Sequence, residues 1–567
     1  MYRGTVVLVL SLLLRIQCHK VEVKVKQGKL VGIRAATVFD RRLHYAFYGV
    51  PYAEIPIGHL RFKNPKSAKK WDRPYDASTP FHGACAQAHI THRHALYGVE
   101  DCLYLNIYTP SLPKDGVSSL KPTIVWIHGY AFTSSFSHIH GGDFLVDNDV
   151  IFISLTHRLN AFGFLKINET DSNANMGLKD IVMALKWIKK NIKQFDGDEK
   201  KITVMGSDSA GTYLTLLLLS KSNKLFSKMI LQSGSLFSPS IFQSDHNKER
   251  EKLKQEVKIS FSKDLVTASS KDIITASSKI YTKKDWINFQ KPVVPFSPII
   301  ELKSNKSLIS VSPYTQSLEI KIPLMIGFNS QESISEIIPF LRHPHILNTL
   351  NSFFKFMVPF PSACHYNYTS KTYVEIADKI KKKYFNGHIS EASIQDFMRY
   401  ASDLRKYPVY KFIKTLTGRF NNEIYVYKFN YVGKFNAMKA SSTPDIVVKA
   451  KGAANGDEVC YLTKCEPLWE GYVQVRDTDN DRDKHFIKEM AEVWANFART
   501  GKPTPRPYFA NVTWLPMTSK NDNVLLISRT SKLIDSKVEE KMFSFWNRIY
   551  DDYYAPERCK GNKRDEL

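Results

Sequence analysis

The sequence predicts an α/β protein: a large, mostly parallel central sheet with helices on both faces and a helical insertion. Short apolar runs that read as buried strands alternate with helically periodic segments in the first half of the chain. Such alternation favours a parallel sheet covered on both sides. No linker rich in Gly, Pro or Ser divides the pieces, and 43% apolar with 12% aromatic residues over 567 positions supplies one large core rather than a disordered chain.

Thr123 to Ile127 and Val150 to Leu155 are the first such runs, followed by helical periodicity from Gly177 to Phe195 through Leu178, Ile181, Ala184, Leu185 and Ile192. Ile202 to Met205 reads as a strand, Ala210 to Ser220 as a helix and Lys228 to Gln232 as a strand. Further strands are IPLMIG from Ile322 and IYVYKF from Ile424; Asp483 to Thr500 is a long amphipathic helix stopped by Gly501 and Pro503. The octad DLVTASSK, Asp264 to Lys271, recurs as DIITASSK, Asp272 to Lys279. Two copies cannot build a solenoid, so this is a local duplication within a helical insertion.

At the N-terminus Arg3 precedes an apolar run from Val6 to Leu14, too short to span a bilayer, which predicts a secretory signal over residues 1–18 and no membrane span. The polar tail, 556–567, ends in RDEL, Arg564 to Leu567, which is similar to the KDEL address read by the ER retention receptor. Together they predict a soluble ER-lumen protein with its main domain over 19–555. Seven cysteines suit that compartment. Cys85 and Cys102 are the best disulfide candidates, Cys460 and Cys465 are close enough to pair, and Cys364 and Cys559 have no obvious partners. No zinc spacing is present, and no metal or cofactor is expected. Sequons at Asn168, Asn305, Asn367 and Asn511 predict glycosylation. The charge of +25 comes from lysines spread along the chain, and even KIKKKYF, Lys379 to Phe385, reads as a solvated helix face. That distribution argues against nucleic-acid binding.

FYGVPYAEIPIGHLRF from Phe47, EDCLYLNIYTP from Glu100, WIHGYAF from Trp126, NMGLKDIVMALKWIKKNI from Asn175 and WANFARTGKP from Trp494 occur in one order along nearly the whole mature chain. This ordered set resembles the type-B carboxylesterases, the cholinesterase-like branch of the α/β-hydrolases. The resemblance implies the α/β-hydrolase fold, a Cys85–Cys102 disulfide, serine-esterase chemistry and a small apolar ester or ester-like ligand.

That chemistry needs a serine on a sharp strand-to-helix turn, a histidine to take its proton, a carboxylate to orient the imidazole, and N–H donors for the oxyanion. The turn is VMGSDSAG, Val204 to Gly211, and allows two registers. The intact S-A-G ending favours Ser209 as the nucleophile, with Ser207 replacing a glycine. If the incoming strand sets the register, Gly206 takes the first glycine position and Asp208 the nucleophile's place. Glu332, after the strand in IGFNSQES, falls on the acid position, with Ser333 replacing a glycine. The family's G-x-x-H-G-D-E-L loop matches Gly452 to Val459, with Asn455 where the catalytic histidine belongs. An amide is no proton acceptor near neutral pH. The oxyanion loop reads Gly129-Tyr130-Ala131, with Tyr130 replacing a glycine and its phenol expected in the space the reacting carbonyl needs. Ala210 is a further donor if Ser209 attacks. His128 orients that loop, and His485 is expected on the surface of the C-terminal helix.

Two functions follow as expectations. The first is an ER-resident carboxylesterase-like protein that is catalytically impaired and acts by binding. The second is an active carboxylic ester hydrolase using Ser209 and Glu332 with an unconventional base.

Overall fold

The computed structural model of the chain describes residues 20–554 except 81–82, 89–94, 114–118, 239–244, 282–293, 314–319, 360–369, 418–423, 443–450 and 506–511. The segment read as a signal, the C-terminal tail, Asn367, Asn511, Cys18, Cys364 and Cys559 lie outside the described residues.

The buried apolar runs assemble into one sheet. Its strands are β1 (Lys20–Val25), β2 (Gly28–Ala36), β3 (Leu43–Pro51), β4 (Tyr104–Thr109), β5 (Lys121–Gly129), β6 (Ile151–Leu155), β7 (Gly197–Asp208), β8 (Lys228–Gln232), β9 (Leu324–Asn329), β10 (Ile424–Phe429), β11 (Asn523–Ile527) and β12 (Lys532–Asp535). They lie in the order β1-β2-β3-β4-β6-β5-β7-β8-β9-β10-β11-β12, and the short strand Tyr75–Asp76 adds to β2. The middle of the sheet, from β6 to β11, is parallel throughout. The flanks are antiparallel, with β1 to β4 on one side and β12 on the other. The sheet is therefore mixed, parallel where the predicted strands lie and antiparallel at edges that periodicity did not mark.

Alternate residues of β5 show how both faces are covered. Val125 and Ile127 pack in one core with Leu178, Ile181 and Leu185 of α1 (Met176–Asn191) and with Leu214 and Leu217 of α2 (Ser209–Leu219). Ile124 and Trp126 face the other core, with Phe486, Trp494 and Phe497 of α6 (Arg482–Thr500). The duplicated octad adopts two structures. Ser269 caps α3 (Ser270–Ser277) by accepting the Asp272 N–H, so most of the second copy is helical. The first copy starts in a 3-10 helix (Ser262–Val266) and runs through a turn into α3, and Arg61 donates to the carbonyls of Leu265, Val266 and Ala268.

A third core is purely helical. Ile376, Ile380 and Tyr384 of α4 (Lys371–Phe385), Phe397, Tyr400 and Tyr407 of α5 (Ile394–Thr417) and Trp546 of α7 (Lys537–Ile549) pack together, and Ala454 joins them from the loop carrying Asn455. Lys379, Lys382 and Lys383 are exposed on the opposite face of α4, the solvated face KIKKKYF implied. Disulfides join Cys85 to Cys102 and Cys460 to Cys465. Among the described residues no helix is long and apolar enough to cross a membrane, and no group of three or more His, Cys, Asp or Glu could hold a metal ion.

Candidate active site

Strand β7 runs directly into α2, and the residue between them is Asp208, with φ 54° and ψ −121°. This is a sharp turn in backbone space that L-residues rarely enter, which surrounding contacts must hold in place. A Cβ added at Gly206 would come within 2.9 Å of the Ala210 carbonyl carbon, so the strand and the first turn of the helix approach too closely for any other residue. The tip of the turn is therefore Asp208. Asp208 at the tip fits the register set by the incoming strand, and Ser209 follows it as the first residue of α2. Ser209 opens the helix, only 5% exposed, and its Oγ accepts the Phe132 N–H at 3.2 Å.

The donors that would face a reacting carbonyl are already engaged. Oδ1 of Asp208 accepts the Ser209 N–H at 2.6 Å and the Ala131 N–H at 3.3 Å. The Tyr130 N–H turns away to the Ser134 carbonyl at 2.8 Å. The N–H next to the tip is that of Ser209, and the donor role expected of Ala210 goes with the register in which Ser209 attacks. Gly129 is required by proximity, since a Cβ there would sit 2.9 Å from Ser209 Oγ.

Tyr130 departs from expectation in another way. Its ring is 38% exposed, its hydroxyl donates to Glu336 Oε1 at 3.1 Å, and the Arg405 guanidinium lies 5.8 Å from its centroid. The phenol does not fill the oxyanion loop; it leans on α5. From that helix Arg405 donates to Asp208 Oδ2 and to Glu336 Oε1, each at 2.5 Å. Burial pushes the Asp208 carboxyl up, against the pull of Arg405 and the Ala131 and Ser209 N–H groups. Arg405 remains a cation between Glu336 and Asp208.

Glu332, just beyond β9, is fully enclosed. Its Oε1 accepts the Ser233 hydroxyl at 2.7 Å and the Asn329 N–H at 2.6 Å; its Oε2 accepts the Asn455 side-chain amide at 2.7 Å. The loop bearing Asn455 is pinned by the Ala453 N–H to Ser330 Oγ and by the Ala454 N–H to Asp457 Oδ2. Burial raises the Glu332 carboxyl and, with Glu332 as neighbour, pushes Glu458 up to about 8. Asn329 Nδ2 donates to Glu458 Oε2 at 2.7 Å, which opposes that rise. The structure thus pairs Glu332 with Asn455 and sets Asp208 beside Ser209, and Arg405 acts electrostatically on both carboxyls.

The described hydrogen bonds of Asp208 and Ser209 go to Ala131, Phe132, Arg405 and each other, none to a histidine. The His128 ring accepts the Phe136 N–H at 3.0 Å, and its own carbonyl takes the Ser135 hydroxyl, so it braces the loop. Burial and the nearby His157 and His138 hold it down at about 4. His485 is exposed on α6, bonded to the Asp481 carbonyl.

The Carboxylesterase family model matches residues 19–546. The chain belongs to the carboxylesterase family. This carboxylesterase-family chain is 29% identical to Esterase E4 of Myzus persicae over 518 residues, covering 88% of the chain and 89% of that protein. It is 28% identical to a juvenile hormone esterase of Tribolium castaneum over 515 residues, 86% of the chain and 84% of the relative. Its fold matches the crystal structure of juvenile hormone esterase from Manduca sexta with OTFP covalently attached, at TM-score 0.78 and 23% identity, over 94% of this chain and 100% of that one. The fold is that of an α/β-hydrolase.

Sequence reasoning missed Arg405 and Glu336, because neither lies in a motif and Arg405 meets Asp208 across 197 positions. Ser233 was missed for the same reason, meeting Glu332 across 99 positions, and Asn329, although inside IGFNSQES, carried no assigned role. An unpaired Asp in a turn register offered the only hint that a cation was needed.

Proposed function

We propose that this carboxylesterase-family chain has lost appreciable hydrolytic turnover and acts by binding a small apolar ester or ester-like ligand in the ER lumen. The observation that carries the reading is the Asp208 carboxylate at the tip of the turn, ion-paired to Arg405 and taking the N–H groups of Ala131 and Ser209. Asp208 stands where a serine hydrolase needs its hydroxyl, and its negative oxygen fills the place where an oxyanion would form. Asn455 stands where the base belongs and holds Glu332 by the bond an imidazole N–H would make. It keeps the frame and cannot accept the proton. Loss of the base alone costs about 10⁶-fold in turnover in serine hydrolases, and loss of one oxyanion donor about 10²- to 10³-fold.

The competing reading, an active carboxylic ester hydrolase using Ser209 with an unconventional base, draws support from relatives named as esterases. Against it stand the helical position of Ser209 and its Oγ bonded to the Phe132 N–H. Purified protein incubated with 4-nitrophenyl acetate and with an organophosphonate probe separates the two. The loss reading expects no burst and no adduct; a burst with an adduct on Ser209 rejects it.

Lumenal residence draws on the signal over 1–18 and the Arg564–Leu567 address for the retention receptor. Exposed Asn168 and Asn305 suit glycan attachment. Deleting Arg564–Leu567 should move the protein into the medium; continued intracellular retention would remove that address from the account.

A further inference from the structure

Three departures from the family's pattern, Tyr130, Asp208 and Ser333, come from three separate loops, yet all meet one stretch of α5, residues 401 to 405. The Ser333 hydroxyl donates to the Ala401 carbonyl at 2.8 Å and its N–H to Ser402 Oγ at 3.3 Å. Ser402 in turn donates to Gln331 Oε1 at 3.2 Å. One helical turn on, Arg405 holds Asp208 and Glu336, with the Tyr130 ring beside its guanidinium. The glycines the family carries at 130 and 333 could supply neither the phenol nor the hydroxyl, and a serine at 208 could not supply the charge.

We propose that Arg405 is an internal plug: α5 holds a guanidinium against the outer oxygen of Asp208, and a ligand reaches the turn only when that guanidinium leaves. The inference rests on the binding function proposed above and supplies its gate. Side-chain exposure falls along the cluster from 37% at Glu336 through 23% at Arg405 to 12% at Asp208, and Arg405 bonds both the most exposed and the least exposed of the three. Two carboxylates and a phenol ring surround one cation, a cage suited by charge and planarity to a guanidinium. With Arg405 removed, that cage becomes a site for a small guanidinium probe, which takes the plug's place on the same oxygens and closes the turn to the ester-like ligand again.

The test reads access to the turn, not hydrolysis, so its failure is separable from failure of the proposed function. A Ser209→Cys variant puts a thiol at the start of α2, where the helix terminus favours the thiolate. Its alkylation by iodoacetamide is followed by peptide mass mapping, which separates it from other cysteines. We expect negligible labelling of Cys at 209 with Arg405 present. Arg405→Ala should raise the rate about tenfold or more, equivalent to a contact of about 1.4 kcal/mol holding the site shut. Millimolar ethylguanidinium should slow the Arg405→Ala rate again by refilling the cage. Glu336→Gln keeps the Asp208 ion pair and sits near solvent, so it keeps the test readable if Arg405→Ala does not fold; it should label at an intermediate rate. Equal rates in folded parent, Arg405→Ala and Glu336→Gln proteins would overturn the plug. Acceleration without any effect of ethylguanidinium would overturn the guanidinium cage.

Discussion

Glu332 and Asp208 are both buried carboxylates of one site, yet they are held by opposite means. Glu332 is surrounded by neutral donors, the Ser233 hydroxyl, the Asn329 N–H and the Asn455 amide, all from loops at the ends of the sheet. Asp208 takes two N–H groups on one oxygen and a full cation on the other, and that cation comes from the helical unit. On the function proposed above, the Glu332 side keeps the frame of a catalytic pair with Asn455 at its end. The Asp208 side ties the sheet to the helices through Arg405. The proposed loss of chemistry thus combines replacement on one flank with rewiring on the other.

The largest effect should come from breaking the tie. Arg405→Ala leaves Asp208 and Glu336 without their cation, and partly buried pairs cut on one side cost about 3 kcal/mol. The urea midpoint should fall accordingly, and Asp208→Asn should cost less because Arg405 keeps Glu336. Equal losses would mean that the tie is not the ion pair.

Glu332→Gln sharpens the other flank. Its amide would point a donor at a donor among Ser233, Asn329 and Asn455, with an expected cost of about 2 kcal/mol in urea unfolding. No cost would show that the neutral cage is loose.

Glu458 gives a pH signature. Its carboxyl is raised to about 8 in the fold. Between the ordinary glutamate range and about 8 the unfolded chain releases a proton that the native site keeps, so stability falls as pH rises through that window. Glu458→Gln should therefore raise the thermal midpoint more at pH 8 than at pH 5. A gain independent of pH would mean that burial does not raise the Glu458 carboxyl.

Tyr130→Phe removes only a hydroxyl bond to Glu336 near solvent and should shift stability by about 0.5 kcal/mol or less. A larger loss would mean that the phenol, rather than Arg405, carries the contact with α5.

Much of the fold was legible because buried strands leave apolar runs: Lys228 to Gln232 and Ile424 to Phe429 match β8 and β10 as read. The edge strands were not, since β1 and β2 bury only part of one face and their residues mix charge with apolar side chains. At the site, Glu332 and Asn455 could be located because loop and strand motifs travel with them. The turn could not be settled, because serine at 209 satisfies a short motif while the strand length satisfies another; in the structure the positive φ falls on Asp208. Arg405 was invisible because an ion pair across 197 residues leaves no local pattern.

The central claim is that the turn carries an ion-paired carboxylate instead of an attacking hydroxyl, so giving the site an imidazole is not enough. Asn455→His, assayed for burst release from 4-nitrophenyl acetate at pH 8, tests it directly. Hydrolysis should stay at the background of the unaltered protein. A rise of about 100-fold or more, the scale on which a working general base acts, would mean that Ser209 had been waiting for its base.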